Sequence, residues 1–549
     1  MGVTGRARGT SRGFSWLWPR RVDAESLLEQ NVGTQQLTFA PKRLTLMIAH
    51  TAEVGNAPTL DSLLACLVAF AHQAAADGLP AHEAERQIFS RVLALGREAF
   101  SLFLRLQGTG DLGEQVTLSD GSQACRLERT HGRAYRGVFG DFSIARTVYG
   151  SREGQRIDFV PLDARLQLPQ GDYSYLLQQW DQTLGCECAF ARVAATIQQM
   201  LGVEQPVDSL ERHSRQMAQA VAPFRESRPL PEPEEEGEVF VVSDDAKGVV
   251  MRKGLEEAKP VAFRRRGDKA NKKRMAIVGA IYSVDRFVRT PQEMTDTLFR
   301  DPRRPGEEAP ERPEPVGKHV WARLSEAADA SQSGPIQEVF GWQKQELDRR
   351  NPGEAKEVVC LLDGQPNLRE AGRRHFGECV VEILEILHVT PRLWQAAHLF
   401  CKEGSDEARQ FVRERVLRVL SGEVKGVLKG LRRLGTVRGL SGKKEKDLRE
   451  LCNFMEKNAD RMRYDEYLKK GYPIATGVIE GACRHYVKDR MERSGMRWSV
   501  KGAQAMLDVR SEYLNGDWEA FNASRIEAET RRLYPNRQVL ETVQWSLAS

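Results

Sequence analysis

Two aspartates stand where carboxylates could bind divalent metal ions. Asp245 comes shortly after the apolar run 239–242, and Asp363 directly follows the apolar run 358–362. Both runs have the composition of buried strands, so each acid is expected at the tip of a rigid element. Phosphodiester cleavage can use two metal ions about 4 Å apart, and such ions bind hard oxygen ligands. Carboxylates converging from separate elements would supply those ligands.

A third acid, Glu480, lies in a predicted helix that opens after Pro473 and Gly477. Arg484 and Lys488 follow at i+4 and i+8, which places them on the face of Glu480. That face would present one acid to metal ions and two cations to phosphate oxygens. In a chain with 29% charged residues, however, an acid at a strand end is usually a solvated turn residue. These positions alone therefore leave the function open.

Length and composition indicate a multidomain protein. A chain of 549 residues with 41% hydrophobic residues predicts three or four domains of roughly 100–200 residues each. The formal charge of +5 is too small to indicate a polyanionic partner by itself. Nine cysteines without paired zinc-ligand spacing predict reduced thiols in a cytoplasmic protein. No apolar stretch has the length of a signal peptide core or a membrane span, so neither export nor membrane insertion is expected.

The apolar pattern divides the chain into helical and β segments. Residues 59–107 predict a long helix pair that packs or forms a dimer, residues 125–160 predict a small sheet, and residues 174–223 are helical again. Strands are predicted in EVFVVSDD, MAIVGAIYSV and EVVCLLD, whereas VVEILEILHV could be helix or strand. The predicted division is 1–120 mainly helical, 121–172 small β, 173–229 helix-turn-helix, 230–238 acidic linker, 239–400 first part of an α/β domain with a proline-rich insert at 301–318, 401–470 basic helical insertion, 471–515 final helices and 516–549 tail.

Several segments resemble, in chain order, the catalytic blocks of insertion-sequence transposases of the ISKra type. They are VVSDDAKGV, KKRMAIVGAIYSVDRFVRTP, LLDGQPNLRE, ILEILHVTPRLWQAAHLF and GVIEGACRHYVKDRMERSGMRWSVKGAQAMLDVR. The segment RTVYGSREGQRIDFVPLDARLQLPQGDYSY resembles the N-terminal region of the same family, so the resemblance spans about residues 140–510. It implies an α/β, ribonuclease-H-like catalytic fold. It also implies a catalytic Asp-Asp-Glu set at Asp245, Asp363 and Glu480, and two magnesium or manganese ions bound by these residues.

The sequence departs from the family pattern at two places. Asp244 stands beside Asp245, where the family tends to have a non-acidic residue. The choice of Asp245 rests on the following Lys247 and on strand alternation, which turns only one of the pair inward. The family's Asp-x-x-His after the second Asp is represented by Glu385 with His388 three residues later. The longer acid could keep the same contact, whereas His388, beside an apolar run, is interpreted as a core histidine rather than a metal or DNA ligand.

The spacing of the three acids predicts an interrupted domain. Asp245 and Asp363 are 118 residues apart, and Asp363 and Glu480 are 117 apart. A bare ribonuclease-H-like fold needs less, so the proline-rich insert and residues 402–470 are expected to leave the sheet. The second segment is either a solvated helical face or a DNA-facing insertion. Its basic residues include Lys425, Lys429, Arg432, Arg433, Lys443, Lys444 and Lys446.

A possible helix-turn-helix precedes the catalytic blocks. The sequence AFARVAATIQQMLGVEQPVDSLERHSRQMAQAV has two helical runs separated by a segment with Gly202. Residues 207–209, Val-Asp-Ser, could start and cap the second helix. That helix would offer a DNA major groove the side chains of Arg212, His213, Arg215 and Gln216. Packing of a plain two-helix hairpin is the alternative.

Other candidate DNA contacts are basic residues near the acids. The segment RRRGDKANKKR at 264–274 has seven basic residues and one acid, a density that favours phosphate contact. Trp498 could stack on an unpaired base or pack against the sheet. The full candidate set outside the helix-turn-helix is Lys247, Arg264, Arg265, Arg266, Lys272, Lys273, Arg274, Arg484, Lys488, Arg493, Arg497 and Trp498.

These features together favour a DDE transposase. Such a protein would cut 3′ strands at element ends by water attack and join the exposed 3′-hydroxyl to target DNA. Double-stranded DNA and further copies of the chain in a synaptic complex are the expected partners. A junction-resolving nuclease on the same scaffold would cleave without joining. A transposase-derived DNA-binding regulator is disfavoured because such a protein does not need all three acids.

Overall fold

The computed structural model of the protein describes residues 59–150, 157–252, 273–301, 311–325, 333–377, 380–475, 477–493, 495–543 and 545. Residues 264–272 lie outside this part of the chain. The DNA contacts predicted for Arg264, Arg265, Arg266 and Lys272 therefore stay predictions.

A helical pair begins the described chain, as the sequence predicts. α1 spans Leu60–Ala76 and α2 spans Ala81–Leu106. Within these two helices Ala74 alone is buried. Large apolar side chains are instead between 45% and 50% exposed, namely Leu64, Val68, Phe89, Val92 and Phe103. The pair thus presents an apolar surface to solvent.

The small β region is confirmed and consists of two sheets. The first contains β1, β2, β5 and β6 in that order, and the second is the hairpin of β3 and β4. The strands are β1 (Gln115–Thr117), β2 (Gln123–Arg126), β3 (His131–Gly137), β4 (Gly140–Arg146), β5 (Tyr149–Gly150) and β6 (Ile157–Phe159).

Five helices follow, namely α3 (Pro161–Leu166), α4 (Tyr175–Glu187), α5 (Phe190–Leu201), α6 (Val207–Ala218) and α7 (Val221–Ser227). Of these, α4 to α7 agree with the helix predicted over residues 174–223, whereas α3 lies in the segment 121–172, which the sequence predicts as β. α5 ends at Gly202, whose φ of +72° suits a residue without a side chain. The predicted side-chain cap of α6 is wrong, because Pro206 occupies the N-cap and no side chain caps the helix.

A five-stranded mixed sheet forms the centre of the molecule. Its order is β11-β10-β7-β8-β9; β8 is antiparallel to β7 and β9, and β10 is parallel to β7 and β11. The strands are β7 (Val239–Val250), β8 (Lys273–Val284), β9 (Val316–Leu324), β10 (Glu357–Leu362) and β11 (Val381–Leu384). The three strands predicted from the sequence are confirmed, and VVEILEILHV is a strand followed by the start of a helix.

Helices cover both faces of this sheet, which explains why its strands read as continuous apolar runs. Phe240 and Val242 pack against α9 (Ser333–Arg350) and α10 (Pro366–Phe376). Val239 and Val241 face the opposite side, where the core includes residues of α8 (Pro291–Phe299) and α11 (Ile386–Phe400). Alternate residues of β7 therefore point to two different cores.

The segment predicted as a basic insertion is helical. It consists of α12 (Asp406–Leu420), α13 (Val424–Val437), α14 (Gly442–Lys457) and α15 (Tyr464–Lys469). Apolar residues of these helices join the core that contains Val239 and Val241. All seven of its predicted basic residues, Lys425, Lys429, Arg432, Arg433, Lys443, Lys444 and Lys446, are exposed.

The final helices return to the sheet. α16 (Gly477–Gly481) continues directly into a π-helix (Ala482–Lys488) and then α17 (Asp489–Met491). π-helical turns, with i→i+5 hydrogen bonds, are rare and frequently lie at functional sites. α18 (Val500–Asn515) contacts β9, α4 and α6, and α19 (Trp518–Leu533) contacts α7.

The helices predicted as a separate DNA-binding region share a core with the sheet. Leu177 and Leu210, from α4 and α6, belong to one buried cluster with Val249 of β7 and Met506 of α18. The domain boundary predicted near residue 230 therefore does not separate two cores, because the segments on both sides of it pack into the same buried cluster. None of the described helices combines the length and apolarity that crossing a bilayer requires.

The segment predicted as an acidic linker is also fixed to the fold. Glu236 is buried, and its carboxylate accepts hydrogen bonds from the guanidinium of Arg350 at 2.7 and 2.8 Å. A buried, bidentate ion pair of this kind holds residues 230–238 against α9, because separating the two charges would leave each of them desolvated and unpaired.

Candidate active site

The first two candidate acids lie at the same edge of the sheet. β7 and β10 are parallel and in register up to the pair Asp244 and Leu362, so Asp245 and Asp363 are the next residues along the two segments. The expectation that Asp245 stands at the tip of its strand is wrong, because β7 continues to Val250 in pairing with β8, whereas Asp363 does follow the end of β10. Burial raises the pKa of Asp363, and the negative charge of Asp245 adds to this effect. The N–H of Gln365, which donates to Asp363 Oδ1 at 2.8 Å, opposes it. The two carboxylates are thus close enough to repel each other, a pattern that a bound cation would relieve.

Asp244 points to the opposite face of the sheet from Asp245. Its side chain is fully buried beside Gln343 of α9, and burial holds its pKa well above the ordinary range. Asp245 is half-buried and contacts the thiol of Cys483 in the π-helix. Strand alternation therefore separates the adjacent acids as the sequence predicts, with Asp245 on the side of the C-terminal helices.

Glu480 is grouped more closely with Glu385 and His388 than with Asp245 and Asp363, the two acids predicted to accompany it. One carboxylate oxygen of Glu480, one of Glu385 and a ring nitrogen of His388 lie within 4.8 Å of one another. Asp245 and Asp363 are outside this group at that distance. Glu480 Oε2 is buried and has no hydrogen-bond partner among the described residues. A buried carboxylate oxygen without a donor is costly unless a cation binds it.

Glu385 and His388 occupy the start of α11, at the edge where β10 and β11 end. Glu385 is buried at the N-cap of the helix, and His388 Nε2 lies 3.6 Å from Glu385 Oε2. The interpretation of His388 as a core histidine is wrong, because its side chain is 37% exposed and faces acids. The Glu-x-x-His spacing in the sequence could have indicated this pairing, because residues three positions apart at the start of a helix lie on the same side of it.

The π-helix connects Glu480 with Asp245. Burial raises the pKa of the Cys483 thiol, which contacts Asp245, and the negative charges of Asp245 and Glu480 add to this effect. The sequence predicts that Glu480, Arg484 and Lys488 share one helix face. In the structure the two cations are exposed to solvent, whereas Glu480 is partly buried and its carboxylate, with one enclosed oxygen, is turned towards the protein.

The predicted DNA contacts near the acids have different surroundings. Lys247 is half-buried, Lys273 forms an ion pair with Glu492, and Arg274 donates to the carbonyl oxygen of Ser325 at 3.3 Å. Arg493 and Arg497 are exposed.

Trp498 cannot stack on a DNA base in this structure. Its ring is buried, its Nε1 donates to the carbonyl oxygen of Met491 at 3.2 Å, and the guanidinium of Arg490 lies 4.8 Å from its ring centroid. Packing, the alternative given for this residue, is what the structure contains.

The predicted recognition helix, α6, is only partly available to DNA. Arg212 is exposed and Arg215 is half-exposed, with an ion pair to Glu211 at 3.6 Å. His213 is buried edge-on against Tyr173, and burial lowers its pKa to about 4. The major-groove contact expected of His213 is therefore wrong, because its ring faces the protein core and is neutral.

Solved structures similar to this chain include one of a transposase complex. No protein-family model matches the chain, and no curated protein matches it. The structure of the Drosophila P element transposase strand transfer complex is similar at 9% identity and a TM-score of 0.22, over 72% of this chain and 84% of that chain. The relationship is weak, and a TM-score of this size does not establish a common fold.

Proposed function

We propose that the protein is a metal-dependent DDE transposase with a ribonuclease-H-like catalytic domain. The observation that carries the proposal is the convergence of acids from separate elements. Asp245, within β7, lies beside Asp363 at the end of β10, and Glu480 joins Glu385 and His388 beside them. The resemblance of the sequence blocks to ISKra-type transposases supports the same assignment.

The strand arrangement is consistent with this proposal. Three consecutive antiparallel strands, β7, β8 and β9, are followed by β10 and β11, which extend the other edge of β7 in parallel. This is the strand order of ribonuclease-H-like sheets. Ligands of open α/β sheets bind outside the carboxyl ends of parallel strands, where these acids stand.

The side chains fit divalent metal ions. Carboxylate oxygens suit magnesium, and the addition of an imidazole also suits manganese. Asp245, Asp363 and Glu480 would be the principal ligands, with Glu385 and His388 as a further acid and a nitrogen donor. Bound in pairs, such ions activate a water or hydroxyl and stabilise the leaving oxygen.

The proposed reaction has two balanced steps. In cleavage, a water oxygen bonds to phosphorus and the bond from phosphorus to O3′ breaks, which leaves a 3′-hydroxyl and a 5′-phosphate. In joining, that 3′ oxygen bonds to a target phosphorus and displaces the target's own 3′ oxygen. The chain's acids would hold negative charge at fixed positions through both steps, and the buried strands restrict their movement.

DNA would approach along exposed basic side chains. Those of α13 and α14 lie on the insertion, while Arg484, Lys488, Arg493 and Arg497 lie on or after the helix of Glu480. Because each neutralised phosphate releases counterions, binding should weaken steeply with salt. Of the four α6 side chains predicted to contact DNA, His213 is buried, so the proposed contact includes only Arg212, Arg215 and Gln216.

The test of this function is cleavage of DNA that carries the gene with its flanking sequence. We expect the full-length protein to cut such a plasmid near the ends of the element and to join those ends to target DNA. The reaction should require Mg²⁺ or Mn²⁺ and stop with EDTA. Cleavage without joining would favour the resolvase alternative. Binding without cleavage in either metal would favour the DNA-binding regulator and refute the transposase proposal.

We further propose that the chain self-associates through α1 and α2. Joining two element ends requires two active sites, hence at least two copies. α1 contains one formally charged residue, Asp61, and no Lys or Arg, so its exposed face does not suit phosphate. A 17-residue helix is about 25 Å long. Together with the exposed apolar residues of α2, namely Phe89, Val92 and Phe103, it would bury several hundred Å² per copy, against the roughly 800 Å² per partner of a standard interface.

Self-association can be measured without DNA. We expect the wild-type chain to be at least dimeric by light scattering at about 10 µM, since matching apolar faces can cover each other in a symmetric dimer. Leu64→Glu with Val68→Glu should shift it to monomer. Ser62→Glu with Gln73→Glu adds the same charge at exposed polar positions of α1 and should not. A monomeric wild type, or a double Leu64 and Val68 variant that stays dimeric, would remove this surface from the interface.

A further inference from the structure

Arg392 lies one helical turn after His388 on α11, beside the candidate acids. Its guanidinium carbon is 3.4 Å from the ring centroid of Phe454 on α14. The same ring fills the space next to Gly364, where an added Cβ would lie 2.1 Å from Phe454 Cε2. Phe454 therefore ties the helical insertion to the turn that carries Asp363 and supports Arg392 over it.

The hydrogen-bond donors of Arg392 are not used within the described part of the chain, where the guanidinium has neither an ion pair nor a hydrogen bond. Nearby arginines differ: Arg369, for example, donates to Glu382 at 3.0 Å. Stacking occupies only the flat face of a guanidinium, while its N–H groups point outward in the plane. Burial lowers the pKa of Arg392, and the charge of Asp363 opposes that effect, which places the two groups near each other.

A partly desolvated cation with free donors is unfavourable without an anion. The carboxylate whose negative charge acts on the pKa of Arg392 is that of Asp363. The proposed function assigns this carboxylate to metal ions. A DNA phosphate at the same metals would bring non-bridging oxygens to this place, and a guanidinium matches two such oxygens at once.

We propose that Arg392, held flat by Phe454, binds a non-bridging oxygen of the DNA phosphate at or next to the cleaved bond. This inference rests on the proposed function. It assigns the phosphate subsite to the junction of α11 and the helical insertion, so that the insertion takes part in positioning DNA as well as in packing.

Arg415 supplies a matched control. Its guanidinium lies 3.3 Å from the ring centroid of Phe411, its pKa is also lowered by burial, and it belongs to α12 of the same insertion. Unlike Arg392, it donates to the carbonyl oxygen of Phe411 at 2.9 Å. Arg392→Gln should slow cleavage about 10- to 100-fold, the effect of losing one charged hydrogen bond, whereas Arg415→Gln should leave the rate within about twofold. Arg392→Lys should recover only part of the loss, because a lysine cannot form the planar pair.

A chemical substitution in the DNA separates phosphate binding from a structural role. In a plasmid-derived duplex with the mapped cleavage site, methylphosphonate replaces in turn each of the three phosphates around the cleaved bond. At the phosphate that Arg392 contacts, the neutral group should slow the wild type, yet cause little further loss in Arg392→Gln. Losses that multiply at all three positions, or an Arg392→Gln protein as active as Arg415→Gln, would overturn the inference.

Failure of the proposed function has a different signature. If the wild-type protein does not cleave the plasmid in Mg²⁺ or Mn²⁺, whether or not it binds DNA in Ca²⁺, the transposase proposal falls, and the phosphate subsite falls with it. If the wild type cleaves and the two arginine variants behave alike, only the subsite is wrong. Melting temperatures of both variants within a few degrees of wild type would exclude misfolding as the cause of a slow rate.

Discussion

Asp245→Asn should reduce DNA cleavage by at least about 1,000-fold, or roughly 4 kcal/mol of transition-state stabilisation, while Asp244→Asn should cost less than about tenfold. Asp245 lies in β7 just past its last residue paired with β10, beside Asp363 and Cys483 and on the side of Glu480. Removing its charge would weaken metal binding without changing the shape of the side chain. Cleavage of the flanked plasmid at saturating Mg²⁺ measures both variants.

Asp244 provides the control because it is also an aspartate and immediately precedes Asp245, so the same substitution can be made one residue earlier. Its carboxyl group is buried against α9, and burial raises its pKa well above the ordinary range, which favours the neutral form that asparagine resembles. An active Asp245→Asn protein with an inactive Asp244→Asn protein would move the metal site to the other face of the sheet. That face holds Gln343, Phe340 and further apolar residues, which would not support the proposed chemistry.

Glu480→Gln should abolish cleavage and joining together, again by about 1,000-fold or more. The glutamate oxygen Oε2 is enclosed without a donor, and the other acid and the imidazole of its group lie within 4.8 Å. Both steps pass through the same metal-stabilised geometry, so neither should survive selectively. The rates to compare are cleavage of intact ends and joining of precut ends, with DNA binding in Ca²⁺ as the check on folding.

Glu492→Gln is the corresponding control. Glu492 lies beyond the π-helix and pairs with Lys273 at the start of β8. Losing this ion pair should cost about 1 kcal/mol of stability at most, since Lys273 is half-exposed, and cleavage should stay within about threefold of wild type. A Glu480→Gln protein that joins precut ends at the wild-type rate would remove Glu480 from the site and leave Glu385 and His388 without their third ligand.

The strands and most helices follow from the sequence because local pattern determines them. The apolar runs at the start of β7 and in β10 are each followed by acids, and both faces of the sheet are covered, so no alternation obscures them. The continuation of β7 past Asp245 to Val250 does not follow from its apolar run. The choice between helix and strand for VVEILEILHV could not be made from pattern, because four residues of strand and the first residues of α11 are equally apolar.

The candidate site was only partly predictable for a different reason. Asp245, Asp363 and Glu480 come from three elements, and their approximate grouping came from the family resemblance. The positions of Glu385 and His388 depend on where β11 ends and α11 begins, which the sequence left open. The sequence leaves Trp498 open between stacking on DNA and packing, and offers His213 to DNA only through its place in the predicted second helix. Long-range packing against β7 and Tyr173 buries both residues.

The order of the acids along the chain affects how the site forms during protein synthesis. Glu480 follows Asp245 by 235 residues and comes after the whole insertion of α12 to α15. At about 5–20 residues per second, the ribosome makes Glu480 roughly 10–50 s after Asp245. A nascent chain, or one cut short by a frameshift before α16, contains the two strand acids but not the third. Under the proposed assignment such a chain cannot cleave DNA, so cleavage waits until the last of the three acids has been synthesised.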